Sequence, residues 1–271
     1  MSGTSAAPSS VQVAIDDRGI ATLTLDQPKI HNAFDDAMIA TLALALRELD
    51  ADPAVRVVVI AANGPSFSAG ANLNWMKRMA GYSEAQNAED ALGLAGLMHT
   101  LYTLSKPTLA RVHGPAYAGG LGLVACCDIA VAAREATFCL TEVRLGLIPA
   151  VITPYVVAAI GERQARRWCL TAERFDAEAA FRLGLVQEVV DADRLDQRIE
   201  AIIGHLLLGG PASLAECKAW VGEVAARPID ERLVADSAHR IARLRASAEG
   251  REGVAAFLEK RQPRWVAAAK D

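Results

Sequence analysis

The N-terminal part of the chain changes from an alternating hydrophobic pattern to a helical one within fifty residues. In "VQVAI" the apolar residues Val11, Val13 and Ile15 fall on every second position, and in "IATLTL" Leu23 and Leu25 do the same. Such alternation is typical of strands with one buried face, and "DDRG" between the two segments supplies a turn. The pattern therefore predicts a β-hairpin at the start of the fold.

A helix and a buried strand are predicted next. In "DDAMIATLALALRELDAD" the apolar positions 38, 42, 45 and 49 lie three or four residues apart, as on one face of an amphipathic helix. Asp35 or Asp36 lies where the N-cap of this helix is expected. "VRVVVIAA" is a continuous β-branched run, which is typical of a parallel strand covered on both faces.

Strands and helices continue to alternate in the middle of the chain. A helix is predicted over 84–104, strands at "TLARVHG" and "DIAVAA" with the helix "LGLVACC" between them, and a strand and turn at "TFCLTEVRLGLIP". From about Asp176 onward the pattern is mostly helical. We therefore predict an α/β fold with a disordered lead-in at 1–10, a core at 11–205 and a helical C-terminal region at 206–271.

The composition fits this fold and excludes several classes of partner. The chain has 271 residues, 52% hydrophobic and 22% charged, which suits one large α/β domain or a core with a small C-terminal subdomain. The formal net charge is −4 and no basic run occurs, so nucleic acid is not an expected partner. No apolar stretch reaches about 18 residues, and the polar N-terminus does not resemble a signal peptide, so no membrane association is expected.

The five cysteines and five histidines show neither disulfide nor metal-ligand spacing. There is no CxxC motif, and Cys126 and Cys127 are adjacent in an apolar run, so we expect reduced thiols and a cytoplasmic location. The histidines are scattered along the chain. We therefore predict no metal site and no redox cofactor.

Two segments resemble known functional motifs, a dinucleotide-binding loop and a serine nucleophile elbow, but neither segment matches its motif fully. The glycine-rich stretch "HGPAYAGGLGLVACCD" contains a G-x-G-x-x-A spacing at 120–125, which follows a predicted strand but lies more than a hundred residues into the chain. This is a weak dinucleotide-binding signal. "GPSFSAG" contains Ser66 and Ser68 but is not a G-x-S-x-G nucleophile elbow. Neither nicotinamide binding nor a serine nucleophile is therefore expected.

Two loops that follow neighbouring predicted strands carry a clearer signal together. "SFSAGANL" offers the backbone N–H of Ala71, and "AYAGGLG" offers that of Gly119, each where a helix begins. Two backbone donors that converge at helix starts would form an oxyanion hole, and helix dipoles favour negative charge there.

These loops belong to a set of segments that resembles the crotonase (enoyl-CoA hydratase/isomerase) superfamily along nearly the whole chain. The segments are "QPKIHNAF", "VRVVVIAANGPSFSAGANL", "KPTLARVHGPAYAGGLGLVACCDIAVAA", "TFCLTEVRLGLIP" and "REGVAAFLEKRQPRW". The resemblance implies a crotonase-like ββα spiral core with a helical C-terminal trimerisation region, assembled as a homotrimer or a dimer of trimers. It implies an acyl-CoA thioester substrate, with coenzyme A only as part of that substrate, and it matches the oxyanion donors to Ala71 and Gly119.

This sequence has one of the two catalytic glutamates of the family pattern and lacks the other. Hydratases of the family commonly carry two glutamates, of which one matches Glu142 in "LTEVRLGLIP" and the other falls at Gly122. We expect Glu142 to be the acid and base of a hydratase. A single glutamate also suits an enoyl-CoA double-bond isomerase, and a non-catalytic acyl-CoA-binding subunit is a third alternative.

A finer resemblance favours a branched substrate. The segments "GLVACCDIAVAA" and "TFCLTEVRLGLIPAVITPYVVAAIGERQARR" are similar to bacterial methylglutaconyl-CoA hydratases of leucine breakdown and to relatives that act on isoprenoid-derived glutaconyl-CoA. These substrates carry a distal carboxylate. We expect Gly122 to open space for the branched acyl group of 3-methylglutaconyl-CoA, and Arg144 to pair with its carboxylate.

Further residues are assigned to substrate binding by their place in the family pattern. Lys29 and Ala33 are expected on the adenine side of CoA, while Phe257 and Lys260 are expected to reach CoA in a neighbouring subunit. Asn72 is expected at the start of a helix. The other residues expected to bind substrate are Ser68, Ala69, Asn72, Leu73, Gly120, Gly122, Arg144 and Pro149.

Overall fold

Strands and helices alternate through most of the chain and give way to helices at its C-terminal end. A computed structural model describes residues 10–266, so the predicted lead-in at 1–10 lies almost entirely outside the described residues. The strands are β1 (Val11–Ile15), β2 (Ile20–Leu25), β3 (Val57–Ala62), β4 (Thr108–Val112), β5 (Ala116–Tyr117), β6 (Ile129–Ala133), β7 (Thr137–Cys139), β8 (Phe175–Asp176) and β9 (Glu188–Val190). The helices are α1 (Asp36–Ala51), α2 (Leu73–Met79), α3 (Glu84–Thr103), α4 (Gly119–Cys126), α5 (Thr153–Ile160), α6 (Glu162–Thr171), α7 (Ala177–Leu183), α8 (Leu195–Leu207), α9 (Pro211–Val224), α10 (Glu231–Ala246) and α11 (Ala248–Leu258).

The main sheet has the strand order β1-β2-β3-β4-β6-β9. The first two strands form the predicted hairpin, with Val11 opposite Leu25, and all the other neighbours pair in parallel. Every residue of β3 is buried, as its β-branched run predicts. Parallel strands of this kind need cover on both faces.

The residues of β3 alternate between two hydrophobic clusters. Val58 and Ile60 belong to the larger cluster, which lies on the side of α1, α3 and α4. Val57 and Val59 belong to the smaller cluster, which α8 closes with four buried residues that include Leu195. The predicted α/β class is therefore confirmed.

The helix after the hairpin begins and packs as its sequence predicts. The carboxylate of Asp35 accepts a hydrogen bond from the N–H of Met38 at 2.9 Å, which makes Asp35 the N-cap of α1. Met38, Leu42 and Leu49 are buried on the face toward the sheet. The amphipathic pattern alone located this element.

A second, three-stranded sheet has the order β5-β7-β8. Strands β5 and β7 run parallel, with Tyr117 opposite Cys139. Because parallel strands leave a sheet at the same edge, the segments that follow Tyr117 and Cys139 lie side by side. This small sheet thus brings the glycine loop next to the segment that contains Glu142.

One sequence expectation about the main sheet is wrong, and one strand of the sheet was not predicted. Val13 and Ile15 share a face of β1 with Val11, but they are 45% and 47% exposed, because the edge of the sheet extends beyond the helices that cover Val11. The region after Asp176 also contains β9, which pairs with β6 at the far edge of the sheet. A three-residue strand is too short to interrupt a helical pattern in the sequence.

The last three helices make few core contacts. In α9 no residue is buried, and α10 and α11 have one buried residue each, Leu233 and Ala256. The guanidinium of Arg56 joins this region to the start of β3, since it donates hydrogen bonds to the carbonyl oxygens of Trp265 and Gly209, each at 3.0 Å.

Two further expectations can be compared with the described chain. All five cysteines are free, as their spacing predicts. Among the helices between residues 10 and 266, none is both long enough and apolar enough to cross a membrane.

Removing the Arg56 guanidinium should loosen the C-terminal helices. Arg56→Met removes the donor to three backbone carbonyl oxygens, those of Trp265, Gly209 and Leu207, and we expect the free energy of unfolding to fall by about 1.5–3 kcal/mol. Chemical denaturation measures this change. Arg47→Met is the control, because Arg47 is exposed on α1 and makes no hydrogen bond within the described chain. Equal stability of both variants would contradict the assigned role.

Candidate active site

Two loops that leave the same edge of the main sheet are joined to each other through their backbones. One follows β3 and the other follows β4. The N–H of Ser68 donates to the carbonyl of Pro115 at 3.1 Å, and the N–H of Tyr117 donates to the carbonyl of Ser68 at 2.9 Å. These bonds form a parallel bridge between Ser68 and Ala116. The two loops therefore behave as one unit.

Small residues allow this close approach. A Cβ on Gly70 would lie 2.9 Å from the Cβ of Ala118, and a Cβ on Gly120 would lie 2.6 Å from the carbonyl oxygen of Ser68. Both distances are too short for a side chain. Gly70 also has φ +89°, a conformation that favours glycine. Larger residues at either position would push the two loops apart.

Phe34 links the two predicted backbone donors. Its N–H donates to the carbonyl of Gly70 at 2.6 Å, and its carbonyl accepts from the N–H of Asn72 at 2.7 Å. In such a parallel bridge the intervening residue, Ala71, points its own N–H away from Phe34. The Phe34 ring lies 2.9 Å from where a Cβ on Gly119 would be. Phe34 thus contacts the loops on both sides of the site.

The N–H of Gly119 is free because of its position in α4. Gly119 is the first residue of this helix, where the N–H has no intrahelical acceptor. The preceding residue, Ala118, has φ +47°, a strained conformation for a residue with a side chain, and its N–H is held by the carbonyl of Cys139 at 2.9 Å. Within the described chain neither this N–H nor that of Ala71 donates a hydrogen bond. Two free donors at helix starts can stabilise negative charge that develops on an oxygen.

Glu142 follows β7, the strand that pairs with β5 directly before the glycine loop. It lies three residues after Cys139 and begins a 3₁₀ turn at Glu142–Leu145. Its Oε2 atom is buried and has no hydrogen-bond partner in the described chain. Burial raises the pKa of Glu142 above the usual carboxyl range. A partly desolvated carboxylate without a partner is suited to exchange protons with a bound molecule.

The surroundings of Glu142 also include two thiols. Burial, and to a smaller extent the charge of Glu142, raises the pKa of Cys139 and of Cys169. Neither thiol is therefore ionised near neutral pH, and Glu142 has no cation among its hydrogen-bond partners. The proton affinity of this carboxylate is governed by its poor solvation.

The space beside Gly122 is already filled, which corrects the expectation that this residue opens room for a branched acyl group. A Cβ on Gly122 would lie 2.3 Å from Cγ2 of Ile152 and 3.2 Å from Cε of Met98. Ile152 is 2% exposed. The glycine therefore accommodates the isoleucine of a later segment and leaves no cavity for substrate.

Comparison with known proteins identifies the fold and the chemistry that it serves. The family model "Enoyl-CoA hydratase/isomerase" matches residues 16–268. The chain belongs to the enoyl-CoA hydratase/isomerase family. It is similar to a solved enoyl-CoA hydratase from Shewanella pealeana, with 43% identity, a TM-score of 0.92, and coverage of 95% of this chain and 96% of that one.

Two further relatives agree with this assignment. An enoyl-CoA hydratase structure from Mycobacterium smegmatis is 36% identical, with a TM-score of 0.89, and the match covers 96% of this chain and all of that one. A crotonyl-CoA hydratase from Syntrophomonas wolfei is 31% identical over 91% of this chain and 94% of its own length. The chain is thus an enzyme of the enoyl-CoA hydratase/isomerase type that binds acyl-CoA thioesters.

Several residues predicted to bind substrate have structural roles instead. Ser68 is fully buried; its hydroxyl donates to the carbonyl of Asn32 at 2.9 Å, and its backbone groups hold the second loop. Gly120 packs against Ser68. The expected direct contact of Ser68 with substrate is therefore wrong, whereas the packing of Gly120 does not test its contact with substrate. Asn72 caps α2 as expected, since its side chain accepts from the N–H of Asn74 at 2.8 Å.

The other predicted binding residues are distributed over the surface and the interior. Their positions permit contact with a ligand but do not test it. Exposed residues are Lys29, Ala69, Leu73, Arg144, Phe257 and Lys260. Buried residues are Ala33 and Pro149.

Sequence reasoning missed three tertiary contacts around the site, those of Phe34, Ile152 and Asp90. Phe34 lies inside the quoted segment "QPKIHNAF", but its contacts with both loops depend on folding. Ile152 follows Gly122 by thirty residues, and the sequence around either residue does not predict their contact. The hydrogen bond from the indole of Trp75 to Asp90 on α3 is likewise a tertiary feature.

Ser66 lies next to a histidine, but the pair does not form a nucleophilic catalytic site. The hydroxyl of Ser66 lies 2.9 Å from Nδ1 of His31, but Ser66 is only 4% exposed. No carboxylate hydrogen bonds to His31 within the described chain. Between residues 10 and 266 there is also no cluster of three His, Cys, Asp or Glu side chains that could hold a metal ion.

Gly122 and Ile152 should be energetically coupled. Gly122→Ala inserts a methyl group against Ile152, and we expect it to lower stability by about 1–3 kcal/mol. Ile152→Ala leaves a cavity and should cost about 2–5 kcal/mol alone. Because the new methyl group enters that cavity, the double variant should be more stable than the sum of the two losses predicts, by about 0.5–3 kcal/mol.

Chemical denaturation of the four proteins measures this coupling. Gly204→Ala on α8 is the control, since a Cβ there meets no atom within 4 Å. A helix-interior alanine at that position should stabilise the protein slightly. Strict additivity of the Gly122 and Ile152 substitutions would show that the two positions do not share space.

Glu142→Gln should stabilise the folded protein near neutral pH. The folded-state pKa of Glu142 is raised, so folding favours its neutral form; this preference adds stability at low pH and is lost as pH rises through the folded-state pKa. Glutamine is neutral at every pH, so the variant keeps this stability at high pH. The melting temperature of the variant should therefore exceed that of the wild type at pH 8, with a smaller gap at pH 5. A variant less stable than the wild type at pH 8 would contradict this argument.

Proposed function

We propose that the protein adds water to the α,β double bond of a branched enoyl-CoA thioester, with Glu142 as its single acid and base. One observation carries the proposal: the buried Oε2 of Glu142 lacks a partner beside two loops whose Ala71 and Gly119 N–H groups are free. In this proposal those N–H groups form the oxyanion hole that holds the thioester oxygen. No resident cofactor is part of the proposal.

One carboxylate is enough for both proton transfers of the proposed reaction. Glu142 removes a proton from water while the oxygen of that water forms a bond to Cβ. The electron pair of the double bond moves through Cα to the thioester oxygen, which becomes an enolate oxygen held by the two N–H groups. The enolate then collapses, and Cα takes the proton from the protonated Glu142. The net change is the addition of one water molecule.

The proposed substrate is 3-methylglutaconyl-CoA, a thioester with a methyl branch and a distal carboxylate that belongs to leucine or isoprenoid catabolism. The similarity of the segments around Glu142 to methylglutaconyl-CoA hydratases supports this choice. Arg144 offers an exposed guanidinium two residues from Glu142 that makes no hydrogen bond within the described chain. A substrate carboxylate would supply its missing partner.

Double-bond isomerisation is the second candidate function. The packing of Ile152 against Gly122 favours it, since no second carboxylate fits at that position. An isomerase needs only one group that carries a proton from one carbon to another. In this alternative Glu142 would remove the proton from Cγ or Cα and return it at the other carbon through the same enolate.

We also propose that the chain forms a homotrimer or a dimer of trimers through its C-terminal helices. Apolar residues that the described chain leaves exposed on or next to α10 and α11 support this, since Ile229, Phe257 and Leu258 are 90%, 82% and 73% exposed. In the same proposal Phe257 and Lys260 approach the CoA of a neighbouring subunit, and Lys29 and Ala33 lie on the adenine side.

The expected result is Glu142-dependent hydration with a preference for the carboxylated ester. The loss of enoyl-thioester absorbance is followed with 3-methylglutaconyl-CoA and with crotonyl-CoA. Glu142→Gln should lower kcat/KM by about 10²- to 10⁴-fold. For the wild type, kcat/KM should fall as pH decreases through the raised pKa of Glu142, because the base becomes protonated.

Arg144→Gln tests the carboxylate contact separately. It should raise KM for 3-methylglutaconyl-CoA and leave crotonyl-CoA unaffected. Equal use of both esters by wild type and variant would exclude that contact. Conversion of a 3-enoyl-CoA without any hydration would favour the isomerase, and tight binding of CoA esters without either reaction would favour the non-catalytic subunit.

A further inference from the structure

Helix α2 directly follows Ala71 and has little packing of its own. It is seven residues long, and Trp75 is its only buried residue. A helix of this length is not stable by itself, so its position depends on what fixes that side chain. The only polar atom of the indole, Nε1, donates a hydrogen bond to Oδ1 of Asp90 on α3 at 3.0 Å.

The other polar contact of α2 with a neighbouring helix is weak. Arg78 forms an ion pair with Asp36 on α1 at 2.6 Å, but both side chains are about half exposed to solvent. Exposed pairs of this kind contribute little. The cap by Asn72 is local to α2 and does not fix the helix against the core. The contact between Trp75 and Asp90 is therefore the main polar tether of α2.

Packing on the outer side of Trp75 is incomplete. A cleft of about 400 Å³ separates α1, α2 and α3, and Trp75, Ile39 and Leu97 contribute to its walls. Gly93 and Gly96 on α3 also line the cleft, where they provide no side chain. Trp75 is nonetheless 5% exposed and belongs to the large hydrophobic cluster, so its indole is held by packing on the core side and by Asp90 through its one polar atom.

We propose that Asp90 is a positioning residue: through Trp75 it fixes α2 and thereby the orientation of the Ala71 N–H toward the thioester oxygen. The inference rests on the oxyanion role proposed for Ala71. Backbone hydrogen bonds to Phe34 hold the start of the loop, and the tether holds the helix that follows. Asp90 does not touch substrate in this account.

The position of an oxyanion donor matters more in the transition state than in the bound substrate. Loss of the tether should therefore lower kcat and leave KM for the CoA ester nearly unchanged. A general loss of folding would instead lower the amount of active protein and the melting temperature together. The split between kcat and KM separates the two cases.

Four variants test the proposal. Asp90→Leu removes the acceptor and should lower kcat about 10- to 100-fold, with KM within about twofold of wild type. Asp90→Asn keeps an acceptor oxygen and should retain most of kcat. Trp75→Phe removes the donor, and combining it with Asp90→Leu should cause no further loss. Glu89→Gln is the control, an exposed carboxylate on the same cleft.

A spectroscopic measurement separates this proposal from the identity of the substrate. The absorption of bound cinnamoyl-CoA moves to longer wavelength when donors polarise its carbonyl group. The shift should be smaller in Asp90→Leu than in wild type, and full in Asp90→Asn and Glu89→Gln. If wild type shows this absorption shift but hydrates neither ester, the proposed hydratase function is excluded, while the positioning role of Asp90 can still be tested by the shift.

Three results would overturn the positioning role. One is an unchanged kcat and an unchanged spectral shift in Asp90→Leu. Another is an equal loss in Glu89→Gln. The third is the absence of any spectral shift in wild type, which would also remove the oxyanion role of Ala71. If Asp90→Leu does not fold, Trp75→Phe carries the same comparison.

Discussion

Two backbone segments that leave adjacent strands of the main sheet approach until no side chain fits between them, and the rest of the site depends on this approach. Gly70 lies against Ala118, Gly120 lies against Ser68, and the bridge between Ser68 and Ala116 joins the loops. The contact turns two separate helix starts into one surface with two free N–H groups. Because β3 and β4 are adjacent in the sheet, the two loops begin at a fixed spacing, and the bridge between Ser68 and Ala116 keeps them together.

The same arrangement imposes local costs that the surrounding structure must offset. Ala118 adopts a positive φ, which is unfavourable for a residue with a Cβ. Glu142 is partly desolvated, its Oε2 atom has no hydrogen-bond partner within the described chain, and burial raises its pKa. A bond from the Ala118 N–H to Cys139 holds the strained turn and the segment that leads to Glu142 in one ladder. Strain and poor solvation at a single place are typical of a site that needs its donors and its base ready before substrate arrives.

The sequence predicts those parts of the fold whose cause is local. The α1 cap at Asp35 and the buried run of β3 follow from a few neighbouring residues, and both are confirmed. The exposure of Val13 and the strand β9 were missed, because cover at the sheet edge and pairing with β6 are tertiary effects. In the site, the free N–H groups of Ala71 and Gly119 could be anticipated from the two loops. The contact between Gly122 and Ile152 could not, because a glycine in a helix does not reveal which distant side chain fills its space.

The contact between Gly122 and Ile152 limits the carboxylates that the site can contain. With Ile152 beside Gly122, an acidic side chain at position 122 would need the isoleucine to move, so in the proposed reaction Glu142 would act without a second carboxylate at that place. A lone carboxylate can still complete hydration, because the proton that it removes from water is the one that it returns to Cα. The water must then be oriented by Glu142 and by the substrate itself, since Ile152 and Met98 offer no hydrogen bonds. Substrates that carry their own polar group near the β-carbon would supply part of that orientation, whereas a simple alkyl enoyl ester would not. In the proposed hydration, the apolar contact at Gly122 would therefore leave part of the selectivity of the reaction to the acyl group.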